Sequence, residues 1–273
     1  MVGVKTWGVS LIERRSEAPL FNVQWAAGLY GREWRHASVG DLQRIAIAMA
    51  VGSEQMGKQG LLGSRGDPAT SLEGRVGSYM MPAVFGMAGM EHARAHGTQM
   101  EHFAMASVKN HFHSTGNPLA QYQKESPLDE VMNARMIAYP NTLLMCCPTG
   151  DGAAAAILCS MDKARQFTTQ PIKIAASVLT SDPYTDRDLT LPDVNTLTRN
   201  AADKAYEQAG VGPEDLDLVE LHDCFATAEL VHYDNLRLCE PGGAGEWIDR
   251  RGPWRDGEIP VNVSGGLIAK GHP

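Results

Sequence analysis

The chain has 273 residues, of which 43% are hydrophobic and 21% charged, and its formal net charge is −8. A chain of this length can bury a sizeable core in one large or two modest domains. The acidic balance argues against nucleic acid as the main partner, because phosphate binding needs a concentrated basic face.

The five cysteines all follow residue 145, and their odd number and clustering do not indicate a disulfide framework. A reducing compartment is the simpler interpretation. No apolar run is long enough to cross a bilayer, and residues 1–25 lack the basic-then-apolar order of a secretory signal. We therefore expect a soluble, cytoplasmic protein without a membrane span.

The first half of the chain is predicted to become helical after residue 79. Before it, a short strand is possible at residues 19–23, and residues 41–50 indicate a helix end or a strand. Three helices are then predicted, at residues 83–95, 98–111 and 128–136. Four methionines at helical spacing are expected to pack in the core or line a pocket, namely Met87, Met90, Met100 and Met105.

Histidines are frequent in the predicted helices. His92 and His96 are four residues apart, a spacing that can place two metal ligands on one helix face. No Glu or Cys follows them at the spacing of a metal site, and isolated helical histidines are mostly surface or hydrogen-bonded residues. We therefore expect no bound metal.

Strands and helices alternate in the second half. Residues 153–158 predict a buried strand of small side chains, and residues 172–178 predict another strand. A helix is predicted at residues 196–210, where Gly210 gives a clear ending. This alternation indicates an α/β fold with helices covering the sheets.

A buried strand at residues 216–221 is predicted to run into His222, Asp223 and Cys224 at the start of a helix. If the strand geometry continues through Asp223, His222 and Cys224 leave the same face of the chain. The N-terminus of a helix lowers the pKa of a nearby thiol, which makes a cysteine chemically useful. The alternative is a packed cysteine beside a hydrogen-bonded core histidine.

The last twelve residues are rich in glycine and include Ser264-Gly265-Gly266 and Gly271-His272-Pro273. Glycines at this density allow a backbone to approach a ligand closely and to present its N–H groups. A turn-rich loop without a function is the alternative interpretation. The sequence therefore offers a second candidate histidine, His272, in a segment that is not predicted to be regular helix.

Together, His222-Asp-Cys-Phe, Ser264-Gly-Gly and Gly-His272-Pro resemble the signature of the thiolase superfamily, specifically its sterol carrier protein type. The resemblance extends from about Ile45 to Pro273. Further matching segments include Phe85-Gly-Met-Ala-Gly-Met-Glu-His92, Lys109-Asn-His-Phe-His113 and Cys146-Cys-Pro-Thr-Gly-Asp-Gly.

The resemblance implies the layered αβαβα thiolase fold, incomplete at both ends, with a mostly helical inserted loop domain at residues 61–141. It divides the chain into an atypical segment at residues 1–44, the remainder of the N-terminal half at residues 45–160, and a truncated C-terminal half at residues 161–273. Thiolases are generally dimers, so a homodimer or a thiolase-like partner subunit is expected.

The resemblance also implies the chemistry of the site. The substrate is a 3-ketoacyl coenzyme A thioester of fatty-acid or sterol side-chain metabolism, and no cofactor is permanently bound. His222 and His272 correspond to the residues that form an oxyanion hole, and Cys224 to the acid/base at the α carbon. The remaining candidates contact the substrate, namely Phe85, Ser264, Gly265 and Gly266.

One departure from the family pattern leaves the activity open. In the family, a helix in the N-terminal half begins with the nucleophilic cysteine, but no cysteine occurs here before Cys146. Three alternatives follow. The chain is a fragment of a thiolase, it uses only the enolate half of the chemistry as a retro-aldolase on 3-hydroxyacyl-coenzyme A beside a partner, or it is an inactive acyl-coenzyme A binder.

Overall fold

The computed structural model describes residues 6–13, 19–26, 47–55, 80–180 and 192–272. In these ranges the longer strands are β1 (Thr6–Glu13), β2 (Pro19–Ala26), β3 (Ile47–Gln55), β6 (Asp151–Cys159) and β7 (Lys173–Thr180). The short strands are β4 (Met136–Ala138), β5 (Asn141–Thr142) and β8 (Leu218–Glu220).

In chain order, the helices of these ranges are α1 (Met80–His96), α2 (Met100–Ser114), α3 (Leu128–Asn133), α4 (Met161–Ala164), α5 (Pro192–Ala209), α6 (Ala226–Asn235), α7 (Ala244–Asp249) and α8 (Gly266–Lys270). The mixture of helices and strands confirms the predicted α/β class. None of the helices in the described ranges is long and apolar enough to span a membrane.

The sheet that leads to the candidate site has the strand order β7-β1-β2-β8. Strand β1 is antiparallel to both β2 and β7, whereas β2 is parallel to β8, with Phe21 opposite Val219. Val219 is fully buried. Because β8 ends at Glu220, His222 lies two residues beyond the C-terminal end of this strand.

Strands β3 and β6 form a separate antiparallel pair. The prediction of a strand at residues 153–158 is confirmed, but the prediction that it is buried is wrong, since Ile157 is 73% exposed and residues 153–158 are all exposed. Hydrogen bonding between strands satisfies their backbones but buries neither face of the sheet. Within the described ranges, no layer covers this pair.

The hydrophobic core is built mainly from side chains of α2 and α6. Phe103 of α2, Leu230 and Tyr233 of α6, and Trp247 of α7 are all fully buried in one hydrophobic cluster, and the rings of Tyr233 and Trp247 meet edge to face. Glycine at position 89 of α1 allows close approach, because a Cβ there would lie 2.6 Å from a methyl group of Thr227 in α6. These helices form a rigid support for the residues that follow β8.

The predicted helix limits agree with the structure to within a few residues, although the predicted burial does not always hold. Met100 and Met105 pack against the core as expected. Met87 does not, since it is 65% exposed on α1. Helical spacing identifies a shared face but does not show whether a neighbouring element covers it.

Candidate active site

The segment after β8 is held by the chain near residue 262 rather than by a continuing strand. The N–H of Asn262 donates to the carbonyl of Val219 at 2.8 Å, and the N–H of Leu221 donates to Oδ1 of Asn262 at 2.9 Å. Asn262 adopts a left-handed backbone conformation, with φ of 53°. Because β8 ends at Glu220, the predicted strand does not continue through Asp223.

His222 and His272 meet in this region. Their rings are arranged edge to face, with centroids 5.1 Å apart and an interplanar angle of 83°. Burial lowers the pKa of His222 well below its ordinary value, and the neighbouring charges of His272 and His232 act in the same direction. His222 is therefore a neutral imidazole at pH 7, with one ring N–H to donate.

Residues 146–150 connect Cys224 to His272 through the backbone. The N–H of Cys147 donates to the carbonyl of Cys224 at 3.1 Å, and the carbonyl of Pro148 accepts from the N–H of His272 at 2.9 Å. Gly150 completes the connection by donating its N–H to the carbonyl of His272, also at 2.9 Å. The predicted acid/base and the second histidine therefore flank one short segment.

Cys224 lies in an apolar cluster with Phe85, Phe225 and Ala228. The ring centroids of Phe85 and Phe225 are 5.3 Å apart, so Phe85 packs in the same cluster as the thiol, and its contact with substrate stays a prediction. The expectation of a low thiol pKa is wrong. Burial raises the pKa of Cys224 well above its ordinary value and outweighs the backbone N–H groups that act in the lowering direction.

Asp223 is fully buried and anchors the helix that precedes His272. Its carboxylate accepts the N–H of Leu267 at 2.6 Å and the N–H of Ile268 at 3.2 Å, both in the first turn of α8. Asn110 donates to the same carboxylate at 2.8 Å. Because Asp223 is adjacent to His222 in sequence and α8 leads to His272, this contact helps set the distance between the two histidines.

The segment Ser264-Gly265-Gly266 leads into the first turn of α8 and is closely packed. Ser264 donates both its N–H and its hydroxyl to the carboxylate of Glu220, at 2.9 and 2.7 Å. Gly265 has φ of 100°, and a Cβ there would lie 2.6 Å from Cβ of Ser114, while a Cβ on Gly266 would overlap the carboxylate of Asp223. The structure thus explains these residues as packing contacts, and their contact with substrate stays a prediction.

A buried ion pair lies beneath the site. Lys109 of α2 and Glu229 of α6 are fully buried, with Nζ 2.8 Å from Oε1. Glu229 also accepts hydrogen bonds from Asn110 at 2.5 Å and from Tyr233 at 2.6 Å, and Lys109 donates to the carbonyl of Val261 at 2.6 Å. Every charge in the pair is therefore hydrogen-bonded, as a buried ion pair requires.

Sequence reasoning did not identify Glu229, Asn110 and Asn262 as supports of the site. Asn110 donates to the carboxylates of both Asp223 and Glu229, and Asn262 donates to Glu229 at 3.2 Å. Each of these contacts joins residues distant in sequence. The available signal was the polar segment from Lys109 to His113 inside a helix with an apolar face, which indicates buried polar partners.

The fold is that of a thiolase-type protein, and comparisons with known proteins support this class. Residues 180–273 match the family described as "Thiolase C-terminal domain-like". Sterol carrier protein 2 of Rattus norvegicus is 40% identical over 242 residues, covering 82% of this chain and 44% of that protein. The benzoylsuccinyl-CoA thiolase subunit BbsB of Thauera aromatica is 34% identical over 260 residues, covering 93% of this chain and 66% of that protein.

Solved structures agree on the fold. An Ltp2-ChsH2(DUF35) aldolase superposes with a TM-score of 0.62 at 21% identity, covering 82% of this chain and 60% of that chain. Human mitochondrial 3-ketoacyl-CoA thiolase in complex with CoA gives a TM-score of 0.53 at 17% identity, covering 85% and 61%. The predicted thiolase fold is confirmed, and the chain belongs to the thiolase superfamily. It spans about half the length, 44%, of the sterol carrier protein 2 that it matches.

Proposed function

We propose that the chain acts on a 3-ketoacyl coenzyme A thioester and catalyses carbon–carbon cleavage or Claisen condensation through an enolate held by His222 and His272. The observation that carries the proposal is the pair of imidazole rings, 5.1 Å apart, beside the buried thiol of Cys224. Coenzyme A enters as the thioester substrate and, in thiolysis, also as the free thiol, so the proposal includes no permanently bound cofactor. Either direction of the reaction passes through the same enolate.

The two histidines act in this proposal by donating hydrogen bonds to the thioester oxygen. Cleavage of the bond between the α and β carbons places negative charge on that oxygen, and the imidazole N–H groups stabilise it. Donors fixed in advance cost no reorganisation, and each contributes about 3–4 kcal/mol to the transition state. Because burial keeps His222 neutral, it donates a proton in a hydrogen bond without transferring it.

Cys224 serves as the acid/base. The raised pKa keeps it as a thiol at pH 7, so in the cleavage direction it transfers its proton to the α carbon of the enolate. The electron pair released by the broken carbon–carbon bond forms the new C–H bond, and the thiolate of Cys224 is left. In thiolase chemistry this thiolate regains a proton from incoming coenzyme A.

In the family a cysteine of the N-terminal half accepts the acyl group, but no cysteine precedes Cys146 in this chain. Cys147 is the substitute that we propose, because it packs in the cluster of Phe85 and Cys224 and bonds to the Cys224 carbonyl. Burial raises its pKa, so in this proposal the unprotonated ring nitrogen of His272 accepts the thiol proton as the sulfur attacks the β carbonyl. The bond between the α and β carbons then breaks, which leaves the acyl group on Cys147 and releases the enolate.

A second candidate function is the retro-aldol cleavage of a 3-hydroxyacyl coenzyme A beside a partner subunit, which is favoured because no cysteine precedes Cys146 in this chain. In that reaction a base removes the 3-hydroxyl proton, the bond between the α and β carbons breaks, and a carbonyl compound leaves. The enolate is then protonated as before. No acyl cysteine is needed. The base that removes the 3-hydroxyl proton comes, in this alternative, from a second copy of the chain or from a partner chain.

The experiment compares both cleavages directly. The purified chain is incubated with acetoacetyl-coenzyme A plus coenzyme A and, separately, with a 3-hydroxyacyl coenzyme A, and the products are followed by mass spectrometry. Cys224→Ala is the test variant and Cys159→Ala is the control, since Cys159 ends the exposed strand β6. Thiolysis with an acyl adduct on Cys147, lost in Cys224→Ala alone, supports the thiolase proposal.

Cleavage of only the 3-hydroxy substrate supports the aldolase alternative. Absence of both reactions in a folded chain contradicts both enzymatic proposals and leaves an inactive acyl-coenzyme A binder. Circular dichroism of each variant establishes that it is folded.

A further inference from the structure

The ends of α1 and α6 bring together two histidines and an aspartate away from the thiolase site. His92 and His96 lie in the last two turns of α1, and Asp234 is the second-last residue of α6. We propose that these three side chains bind a divalent transition-metal ion of the zinc type and thereby fasten the end of α1 to the end of α6. The acidic partner, which the sequence does not place near the histidines, comes from the other helix.

The ligand atoms are already gathered. One nitrogen or oxygen atom from each of His92, His96 and Asp234 lies within 4.8 Å of the other two. Nε2 of His92 is 2.7 Å from Oδ2 of Asp234, and the centroids of the two imidazole rings are 4.7 Å apart. Zinc bonds to nitrogen and oxygen are about 2.0–2.2 Å long, so tetrahedral ligand atoms lie about 3.4 Å apart. Small side-chain adjustments therefore suffice.

The contacts behind these ligands resemble the outer shell of a metal site. The other ring nitrogen of His92, Nδ1, lies 2.8 Å from Oγ1 of Thr98. If Nδ1 donates to Thr98, the lone pair of Nε2 points toward Asp234, an arrangement that a proton or a metal ion between the two atoms stabilises. The other oxygen of Asp234, Oδ1, accepts from Sγ of Cys239 and from the N–H of Gly242, both at 3.2 Å. Such contacts orient metal ligands and fix the histidine tautomer.

The surroundings also favour a cation. His96 is the last residue of α1 and Asp234 lies in the last turn of α6, and the carbonyl ends of helices carry partial negative charge. A cavity of about 610 Å³ adjoins the cluster, so an ion has a route to the ligands. His96, Asp234, Cys239 and Glu240 line it on the side of the cluster, and Arg199 and Arg237 also line it, with Arg237 paired to Asp203. Three protein ligands leave a fourth position for water or for the thiol of Cys239.

This site is separate from the proposed catalytic residues. Asp234 is eight residues beyond Ala226, the first residue of α6, and at 1.5 Å per residue it lies about 12 Å along the helix from the end beside Cys224. The proposal therefore does not depend on thiolase activity, and binding is measured without any substrate.

The test measures Zn²⁺ binding to the full chain, stripped of metal with a chelator, by titration against a competing colorimetric chelator. Co²⁺ in place of Zn²⁺ reports ligand geometry through its visible absorption. His96→Gln is the principal variant, because His96 is exposed and its replacement should leave the fold intact. Asp234→Asn is the second. His102→Gln is the matched control, since His102 pairs with Asp249 at 3.2 Å and belongs to no three-ligand group among the described residues.

We expect one Zn²⁺ per chain, binding weakened at least tenfold in His96→Gln and in Asp234→Asn, and unchanged binding in His102→Gln. We also expect Zn²⁺ to raise the Tm of the wild type but not of His96→Gln, because a ligand stabilises only the state that binds it. Absence of stoichiometric binding in the folded wild type overturns the proposal. Binding that survives in His96→Gln, or that is lost equally in His102→Gln, overturns it too.

Discussion

The imidazole ring of His222 meets that of His272 edge to face, with the ring centroids 5.1 Å apart. The two residues come from distant motifs, and the fold joins them through Asp223, whose carboxylate holds the first turn of α8 just before His272. The backbone of residues 147–150 forms a second connection between the same two regions. The pair is therefore supported on two sides, which a preorganised oxyanion hole requires.

The contact between Gly266 and Asp223 should not tolerate a side chain. Gly266 has φ of 58°, and a Cβ there would overlap the Asp223 carboxylate. Gly97 is a matched control, because its φ is 75° and a Cβ there meets nothing within 4 Å. We expect Gly97→Ala to lower the free energy of unfolding by about 1–2 kcal/mol through backbone strain alone. Gly266→Ala should lose about 1–3 kcal/mol more through overpacking.

Urea denaturation of both glycine variants measures this difference. Equal losses in the two variants would show that the packing of α8 against Asp223 is loose, and the support of His272 would then need another explanation.

The buried pair of Lys109 and Glu229 should be costly to break on one side. Lys109→Met leaves Glu229 buried with its hydrogen-bond donors but without its counter-charge, and we expect a loss of about 3–5 kcal/mol in the free energy of unfolding. The double variant Lys109→Met with Glu229→Gln removes both charges together. Its loss should be smaller than the sum of the two single losses, as a double-mutant cycle will show. Additive losses would contradict a direct coupling between the two side chains.

Stability should decrease at acidic pH because of two buried histidines. Burial lowers the pKa of His113 to about 3, with Lys109 acting in the same direction, and lowers that of His232 to about 4. The unfolded chain binds protons below about pH 6.5 while these folded residues remain neutral. The free energy of unfolding is therefore highest above that pH and decreases as the pH falls toward the folded pKa values. Each residue should reduce the free energy of unfolding by about 2 kcal/mol between pH 7 and pH 5.

Urea unfolding at pH 7 and pH 5 tests the contribution of His232 through His232→Gln. The difference in stability between the two pH values should be about 2 kcal/mol smaller in this variant than in the wild type. An identical difference would mean that the folded chain protonates His232 as readily as the unfolded chain does.

The thiol of Cys224 should react slowly while the chain is folded. It is 5% exposed, and burial raises its pKa, so little thiolate is present at pH 8. We expect iodoacetamide to alkylate Cys224 much more slowly in the native chain than in urea, as peptide mass spectrometry will show. Rapid alkylation of the native chain would support the low thiol pKa that the motif alone suggests.

This contrast shows which features the sequence could predict. The α/β class, most helix limits and the convergence of His222 and His272 all follow from periodicity and from motifs that the family shares. Burial of Cys224 was one of two alternatives that the sequence left open, because it depends on packing against Phe85 of α1. For the same reason the exposure of β6 escaped prediction. An alternating or small-residue pattern identifies a strand, but only the neighbouring layers decide whether it is buried.

The network of Asn110, Glu229 and Asn262 escaped prediction for a related reason. Each of its hydrogen bonds joins positions far apart in the chain, from Asn110 to Glu229 and from Asn262 to Glu229. A single sequence shows that polar residues lie inside helices with apolar faces, which indicates that they have partners. It does not identify the partners, because these are set by how α2, α6 and the segment after β8 pack together.

The most direct test of the central claim is exchange of the α protons of acetyl-coenzyme A in D₂O, in which the thiolate form of Cys224 removes a proton and its solvent-exchanged thiol returns a deuteron. This reports enolate formation without any carbon–carbon cleavage. We expect the wild type to catalyse exchange and His272→Ala to lower the rate by about 10²–10³-fold, the usual effect of removing one oxyanion donor. His102→Gln should leave the rate unchanged. Exchange that is equally fast in a folded His272→Ala variant, or absent from the folded wild type, would contradict an oxyanion hole formed by His222 and His272.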